Sequence, residues 1–448
     1  MPLPIVAIVG RPNVGKSTLF NRILKRRLAV VDPAPGVTRD RHYADAVWND
    51  VRFTLVDTGG FILDREGDEL ASAVREQTLI AAEEADLVIF VTDAQASSSD
   101  TERGLAKILL KRKTPVIYVA NKVDDLSMIG LIYEQALPGV AEPLPVSAKN
   151  GYQVAELLDL IADRLHQIQP VQPEAETRDE LAVAIIGAPN SGKSSLVNLL
   201  AQEKRMVVSD IPGTTRDSVD TMISYHGKPV RLIDTAGLRR KRQDLQGLEF
   251  YCTIRALRAM DRADVAVILV DASVGLSQRD IRLAAEAASR GVGVIVAVNK
   301  WDVVEKDERT SGKWVLEWRS QAPTLDWAPM EFISAQTGQR AIKVIEAAFE
   351  VKAEREKRIS TQELNNVITP LLERTPPPAI KGKFIKVKYI TQAEKAPPHF
   401  IFFASHADIV GPGYYRFVER LIREQWTFKG VPIKVSFRNK GSRDQISK

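Results

Sequence analysis

Gly10-Arg11-Pro12-Asn13-Val14-Gly15-Lys16-Ser17 sets two glycines, a lysine and a hydroxyl at the spacing of a phosphate-wrapping loop. In such a loop successive backbone N–H groups point at an anion held at a helix N-terminus, where the helix dipole favours negative charge. Gly10 and Gly15 permit the close approach, Lys16 neutralises the outer phosphates, and Ser17 offers its hydroxyl to Mg²⁺. The same cassette recurs as Gly187-Ala188-Pro189-Asn190-Ser191-Gly192-Lys193-Ser194.

Each cassette is followed by the same partners in the same order. Asp57-Thr58-Gly59-Gly60 and Asp234-Thr235-Ala236-Gly237 each supply a carboxylate for Mg²⁺, usually through water. Gly60 and Gly237 supply an N–H for a γ-phosphate. Thr38 and Thr215, in Pro35-Gly36-Val37-Thr38-Arg39-Asp40 and Pro212-Gly213-Thr214-Thr215-Arg216-Asp217, each lie 22 residues beyond the loop lysine. A threonine there completes the Mg²⁺ sphere only when a triphosphate is present, and so orders a switch loop. Asn121-Lys122-Val123-Asp124 and Asn299-Lys300-Trp301-Asp302 choose the base. A carboxylate at Asp124 or Asp302 accepts two hydrogen bonds from guanine N1–H and its amine, a donor pair that adenine lacks. Ser147-Ala148-Lys149 and Ser334-Ala335-Gln336 close the pocket, with the alanine N–H directed at guanine O6. That contact is made by backbone, so Gln336 in place of a lysine leaves the pocket intact. The expected ligand is GTP or GDP at both sites, with Lys16, Thr38, Gly60, Lys193, Thr215 and Gly237 as the groups that promote hydrolysis.

The position that often carries a water-orienting glutamine holds Phe61 in the first copy and Leu238 in the second, which predicts slow intrinsic hydrolysis. Arg239-Arg240-Lys241-Arg242 follows directly. This cluster is either a solvated basic loop or a surface that nucleotide state presents to RNA or to the C-terminal domain.

These residues need strands and helices to hold them. Apolar runs at Pro4–Val9, Val51–Val56, Leu87–Thr92 and Val116–Ala120 each end at a motif, and Ser17–Lys25 has helical periodicity. Leu181–Ile186, Arg231–Ile233, Val265–Val270 and Val294–Val298 repeat the series. Buried runs alternating with amphipathic segments predict an α/β fold, a mainly parallel sheet with helices on both faces and ligands beyond the strand C-termini. Lys16 and Lys193, Thr38 and Thr215, and Asp57 and Asp234 are all 177 residues apart; Asn121 and Asn299 are 178 apart, and Ser147 and Ser334 are 187 apart. The extra length falls in a tryptophan-rich stretch (Trp314, Trp318, Trp327) expected to be local core. A third region reads α-β-β-α-β, with a helix over Glu363–Leu372, strands at Lys383–Ile390, His399–Ser405 and Pro432–Phe437, and a helix over Tyr414–Trp426. The predicted organisation is two tandem P-loop G domains at 1–168 and 181–358, a linker at 169–180, an α+β domain at 359–438 and a disordered tail at 439–448.

Composition bounds the setting. Of the 448 residues 44% are hydrophobic and 27% charged, and no run reaches the apolar length of a membrane span. Cys252 is the single cysteine, expected to pack on a helix, so no internal disulfide forms. No basic leader precedes the first strand, and the expected location is the cytoplasm. Residues 351–448 hold 19 Lys+Arg against 9 Asp+Glu, leaving 43 against 48 elsewhere. A basic end on an acidic body suits a polyanionic partner, with a solvated basic face as the plain alternative. Lys383, Lys386, Lys388, Arg416, Arg420, Arg423, Lys434 and Arg438 carry that charge.

Two complete motif sets, the sequences P-G-V-T-R-D and P-G-T-T-R-D, and a basic α+β tail together resemble the Der (EngA) GTPases over essentially the whole chain. The resemblance implies tandem G domains with a C-terminal KH-like domain, and a role in assembling the large ribosomal subunit, with that subunit and its rRNA as partners. A monomer is expected. In similar GTPases a K⁺ ion beside the phosphates helps hydrolysis, held by the loop asparagine, here Asn13 and Asn190; a plain loop hydrogen bond is the other reading. The single-G-domain relative Era fits less well. The tail lacks a G-x-x-G clamp, so KH-style capture of single-stranded RNA is not expected of it. A GTP-gated scaffold with incidental hydrolysis is the alternative to a hydrolysing switch. A GTP-dependent tRNA-modifying enzyme would need a reactive cysteine near the C-terminus, where this chain has none.

Overall fold

The computed structural model describes residues 3–25, 42–61, 67–128, 130, 132, 139, 141–168, 180–202, 206–208, 220–233, 248–305, 307–379 and 383–439. Thr38, Thr215, the Asp234–Leu238 motif, the Arg239–Arg242 cluster and most of the expected linker lie outside these residues.

The chain divides into two compact units. Among the described residues the first comprises those of 3–168 and 248–258. Its sheet runs in the order β2 (Tyr43–Trp48), β3 (Val51–Asp57), β1 (Ile5–Val9), β4 (Leu87–Asp93), β5 (Val116–Asn121) and β6 (Leu144–Val146). Every pairing is parallel except β2 with β3. Five apolar residues in a row make β1 a strand buried on both faces. Its alternate side chains serve opposite layers. Val6 and Ile8 meet the helices Lys16–Lys25 and Val154–Ile168, while Ile5, Ala7 and Val9 meet Gly67–Glu84 and Asp100–Leu110. The helix Leu248–Arg262 contributes residues up to Arg258 to this unit. Phe250, Ile254 and Leu257 join the second of those layers, and Arg255 and Arg258 pair with Glu84 and Asp86. Cys252 is half-buried on the same helix.

Among the described residues the second unit comprises those of 180–233 and 259–439, and it holds two sheets. The larger runs β13 (Met330–Phe332), β12 (Gly293–Asn299), β11 (Val265–Asp271), β7 (Leu181–Gly187), β10 (Lys228–Ile233), β9 (Thr221–Tyr225) and β8 (Met206–Val208). It repeats the first sheet's order with one more antiparallel strand at the edge. The smaller sheet runs β14 (Val387–Lys395), β15 (Pro398–Ala404) and β16 (Lys434–Asn439), with helices Thr361–Arg374 and Pro412–Trp426 on one face. One hydrophobic core runs through both. It extends from Val183 and Val267 past Val344, Ala348 and Val351 of the helix Lys343–Glu356 to Phe400, Phe402, Val418 and Ile422.

Most strand limits fall within a residue or two of the apolar runs. The exceptions are β10, expected at Arg231–Ile233 but starting at Lys228, and β14, expected at Lys383–Ile390 but running from Val387 to Lys395. Its Lys/apolar alternation is a period-2 signal without a fixed register. The register comes from antiparallel pairing with β15, which draws in polar residues as far as Lys395 opposite Pro398. Among the tryptophans, Trp318 is core and donates to the Leu325 carbonyl at 2.9 Å. Trp314 is half-buried and meets Trp301 edge-on, and Trp327 lies under the Arg423 guanidinium at 4.8 Å. Arg423 is therefore not a surface cation. It pairs with Glu419 at 2.9 Å and donates to the carbonyls of Phe428 and Val431 at 3.1 and 2.9 Å.

Candidate functional site

Strand β1 stops at Gly10 and the helix starts at Lys16, so the intervening loop faces the C-terminal edge of the sheet. Asn13 and Gly15 take left-handed backbone angles, with φ of 65° and 92°. At Gly15 a side chain is excluded twice over, because a Cβ would also sit 2.3 Å from Asn121 Nδ2. The second loop copies this: Asn190 and Gly192 have φ of 64° and 97°, and a Gly192 Cβ would lie 2.2 Å from Asn299 Nδ2.

Those two asparagines tie motifs together. Asn121 Nδ2 donates to the Val14 carbonyl at 2.8 Å while its Oδ1 accepts from the Ala148 N–H at 2.9 Å. Asn299 does the same with the Ser191 carbonyl and the Ala335 N–H, both at 2.8 Å. Glycine loop, Asn-Lys strand end and Ser-Ala turn are thus one hydrogen-bonded assembly in each copy. The alanine N–H expected to face guanine O6 is engaged by the asparagine in this structure.

The loop lysine bonds to its own loop. Lys16 Nζ donates to the Gly10 and Arg11 carbonyls at 2.9 and 2.8 Å, and Lys193 Nζ to Gly187 and Ala188 at 3.1 and 2.7 Å. Burial pushes the Lys16 ammonium down to about 8; Asp57 pulls it back up and Arg11 presses it further down. A phosphate requires the charged form. Below about 8 the lysine already holds its proton; above it the site must take one up on binding. With Lys193→Ala leaving the first site to be read alone, GDP affinity should fall towards ten-fold per pH unit just above 8, with proton uptake that scales with buffer ionisation heat in calorimetry. A flat affinity across that range would refute it.

Around Lys16 the other first-copy groups converge. A Cβ at Gly59 would stand 3.0 Å from Lys16 Cε, 3.2 Å from Asp57 Oδ1 and 3.6 Å from Ser17 Oγ. Asp57 is 1% exposed and accepts from the Gly59 N–H at 2.9 Å; Thr58 Oγ donates to the Ile8 carbonyl at 2.8 Å. Gly60 and Phe61 follow in the short 3₁₀ helix Thr58–Phe61. Val14 is core, whereas Pro12, Pro189 and Ala188 lie on the rim.

At the base end Lys122 and Lys300 take left-handed angles, φ 71° and 61°, and send Nζ to Asp93 and Asp271 at 2.7 and 2.5 Å. Val123 and Trp301 are buried beside them, Trp301 against Phe332 with ring centroids 4.5 Å apart. Ser147 Oγ donates to Asp124 Oδ1 at 2.5 Å, and Lys149 follows on the exposed side. Asp302 differs: its Oδ1 is buried with no hydrogen-bond partner among the described residues, while Ser334 Oγ accepts from the Thr337 N–H at 3.1 Å.

Sequence reasoning missed Asp93 and Glu102. Arg11 Nε donates to Glu102 at 2.9 Å; Glu102 also forms the reciprocal cap of helix Asp100–Leu110 with Ser99. The second copy has Ala188 at the arginine position and Asp280 at the glutamate position, where Asp280 Oδ1 has no partner among the described residues. The signal was present: Asp93 and Asp271, Ser99 and Ser277, and Glu102 and Asp280 are each 178 apart, the offset of the two asparagines.

Residues 5–122 and 182–300 each match the family described as 50S ribosome-binding GTPase, and 358–438 match the C-terminal KH-domain-like region of EngA bacterial GTPases. The chain is 46% identical over 442 residues to the GTPase Der of Caldanaerobacter subterraneus subsp. tengcongensis, covering 98% of this chain and all of that one. It is 44% identical over 438 residues to the GTPase Der of Moorella thermoacetica, covering 98% and 99%. Among solved structures, a single-substitution variant of Aquifex aeolicus Era bound to GDP and aluminium fluoride is similar at 28% identity, with 48% of this chain and 74% of that one covered and a TM-score of 0.30. With two guanine-nucleotide sites of one design, a KH-like third domain and relatives matched from end to end, the chain belongs to the Der (EngA) family of bacterial GTPases.

Proposed function

We propose that this GTPase is a two-site switch that binds the ribosome and its RNA and acts in maturation of the large subunit. The observation that carries the reading is the recurrence of the asparagine-centred assembly of loop, strand end and Ser-Ala turn, whose second copy shares one core with a basic KH-like domain. Nucleotide state at that copy can therefore act on the domain that meets RNA. The G domains span 1–168 and 181–358 and the KH-like domain 359–438, and the chain works as a monomer.

Hard oxygen donors suit Mg²⁺. Ser17 Oγ and Asp57 Oδ1, both within 4 Å of one point, fit it; Ser194 and Asp234 would serve the second site, with Thr38 and Thr215 completing each sphere. When bound, Mg²⁺ supplies positive charge at the β- and γ-phosphate oxygens. Lys16 and Lys193 add charge from the loop side, and Gly60 and Gly237 place an N–H on the γ-phosphate. Neither copy has a side chain suited to orient water at Phe61 or Leu238, so hydrolysis is slow without a further cation. Asn13 and Asn190 would hold K⁺ beside the phosphates, where it would supply that positive charge. At equal ionic strength K⁺ should raise turnover roughly ten-fold or more over Na⁺; equal rates would remove the cation from the mechanism.

The large-subunit role is tested by sedimenting the protein with purified large-subunit particles, with GTP or GDP, across a salt series. Binding that differs with nucleotide and weakens log-linearly with salt is expected. Absence of binding in both nucleotide states would overturn it.

A further inference from the structure

Successive residues of a strand face opposite sides of the sheet. Ile390 of β14, Phe400 and Phe402 of β15, and Val435 of β16 face the helices and belong to the core. The residues between them form the other face, in rows set by register. Tyr389, Phe403 and Arg438 make one row, Thr391, Ile401 and Ser436 the next, and Glu394, His399 and Lys434 the third.

The first row is built for flat ligands. The Tyr389 and Phe403 rings are parallel, with centroids 4.3 Å apart and planes 10° from each other. Tyr389 is on the edge strand and 36% exposed. Phe384, 81% exposed, lies at the same end of the sheet, its carbonyl 3.4 Å from Ser405 Oγ just past β15. A single exposed aromatic is ordinary, but a stacked pair with a third ring at the same end is not. The charge is one-sided too. Lys386 and Lys388 are exposed along the edge, and Lys434 and Arg438 share the face, where after burial they are charges that hold His399 below its usual range. Glu394 is the only acid in the three rows.

The helix-bearing side lacks the usual clamp. Between the short helix Ala407–Ile409 and the helix Pro412–Trp426 the chain has Val410-Gly411, not a G-x-x-G clamp. Stacking on aromatics along a basic track is the other way to hold unpaired bases.

We propose that the first-row end of the outer face of the β14–β15–β16 sheet, where Ile401 and His399 of the other rows are buried and take no part, binds single-stranded RNA, with a base stacked on the exposed side of Tyr389 and the phosphates following Lys386, Lys388 and Arg438. The proposal rests on the RNA-binding reading above and gives it a location. An acidic peptide would use the cations but gain nothing from the rings.

The test is fluorescence anisotropy of the full-length protein with a labelled ten-nucleotide single-stranded RNA, with large-subunit sedimentation and GTP turnover measured on the same samples. Tyr389→Ala should weaken RNA binding roughly ten-fold, in line with loss of one stacking partner, and Tyr389→Trp should retain it. Lys388→Gln should weaken it less and lower the salt slope by about one. GTP turnover and the melting transition of the second unit should be unchanged in all three, which excludes misfolding. If Tyr389→Ala binds RNA like the parent, the platform is wrong; if only the lysine variant matters and polyglutamate competes as well as RNA, the face is a site for acidic protein. Parent protein that sediments with particles while Tyr389→Ala does so equally well would defeat this inference and leave the ribosomal reading standing. Parent protein that binds the oligonucleotide but no particle would do the reverse.

Discussion

Asn121→Ala protein should bind one equivalent of GDP where the parent binds two. Asn121 holds the phosphate loop through the Val14 carbonyl and the base-pocket turn through the Ala148 N–H. It is 2% exposed, so its loss leaves both of those backbone groups without their partner in a dry place. Each such group costs about 1–3 kcal/mol. Together, at about 2–6 kcal/mol, that is roughly a 30- to 20,000-fold loss of affinity at the first site, enough to remove it from a micromolar titration. Asn299→Ala should remove the other equivalent, because Asn299 makes the same two bonds to Ser191 and Ala335. Calorimetric stoichiometry reads the result directly. Two equivalents at near-parent affinity in either variant would mean that the asparagine only decorates the pocket.

Gly430→Ala should lower the melting temperature of the second unit by about 5–10 °C, with the nucleotide sites chemically untouched. Gly430 has a φ of 73°, and a Cβ there would fall 2.4 Å from Val351 Cγ2 and 3.2 Å from Pro329 Cδ. Its N–H donates to the Trp327 carbonyl at 2.9 Å, and its own carbonyl accepts from the Val294 N–H at 2.8 Å. The residue thus joins the KH-like domain to the central sheet of the second G domain. Overpacking and a disfavoured backbone together cost about 2–4 kcal/mol. Differential scanning calorimetry should show one transition moving and the other staying. A shift under about 1 °C would show that the junction gives way easily.

The places of the described candidate motifs in the fold were legible because each motif is contiguous and sits at a strand end that announces itself as an apolar run. What one motif does to another was less legible. That Asn121 would spend both ends of its amide on backbone, or that Arg11 would reach Glu102 91 residues away, depends on which loops the sheet order brings together. The third domain's element order could be read, but β14 slid by several residues because pairing with β15, not composition, sets its register. Arg423 looked like one more cation of a basic tail. Its neighbours, Glu419 one helical turn back and the carbonyls of Phe428 and Val431, turn it into a strut.

The Arg11–Glu102 bond has no counterpart in the second copy, where Ala188 and the shorter Asp280 stand. A loop already pinned to its neighbouring helix loses less freedom when phosphate arrives than one that must still be ordered. About 1.4 kcal/mol of such a difference separates two affinities ten-fold. The duplicated cassette thus carries a tether to its neighbouring helix in the first copy alone, an asymmetry of starting order that the shared motif letters do not spell.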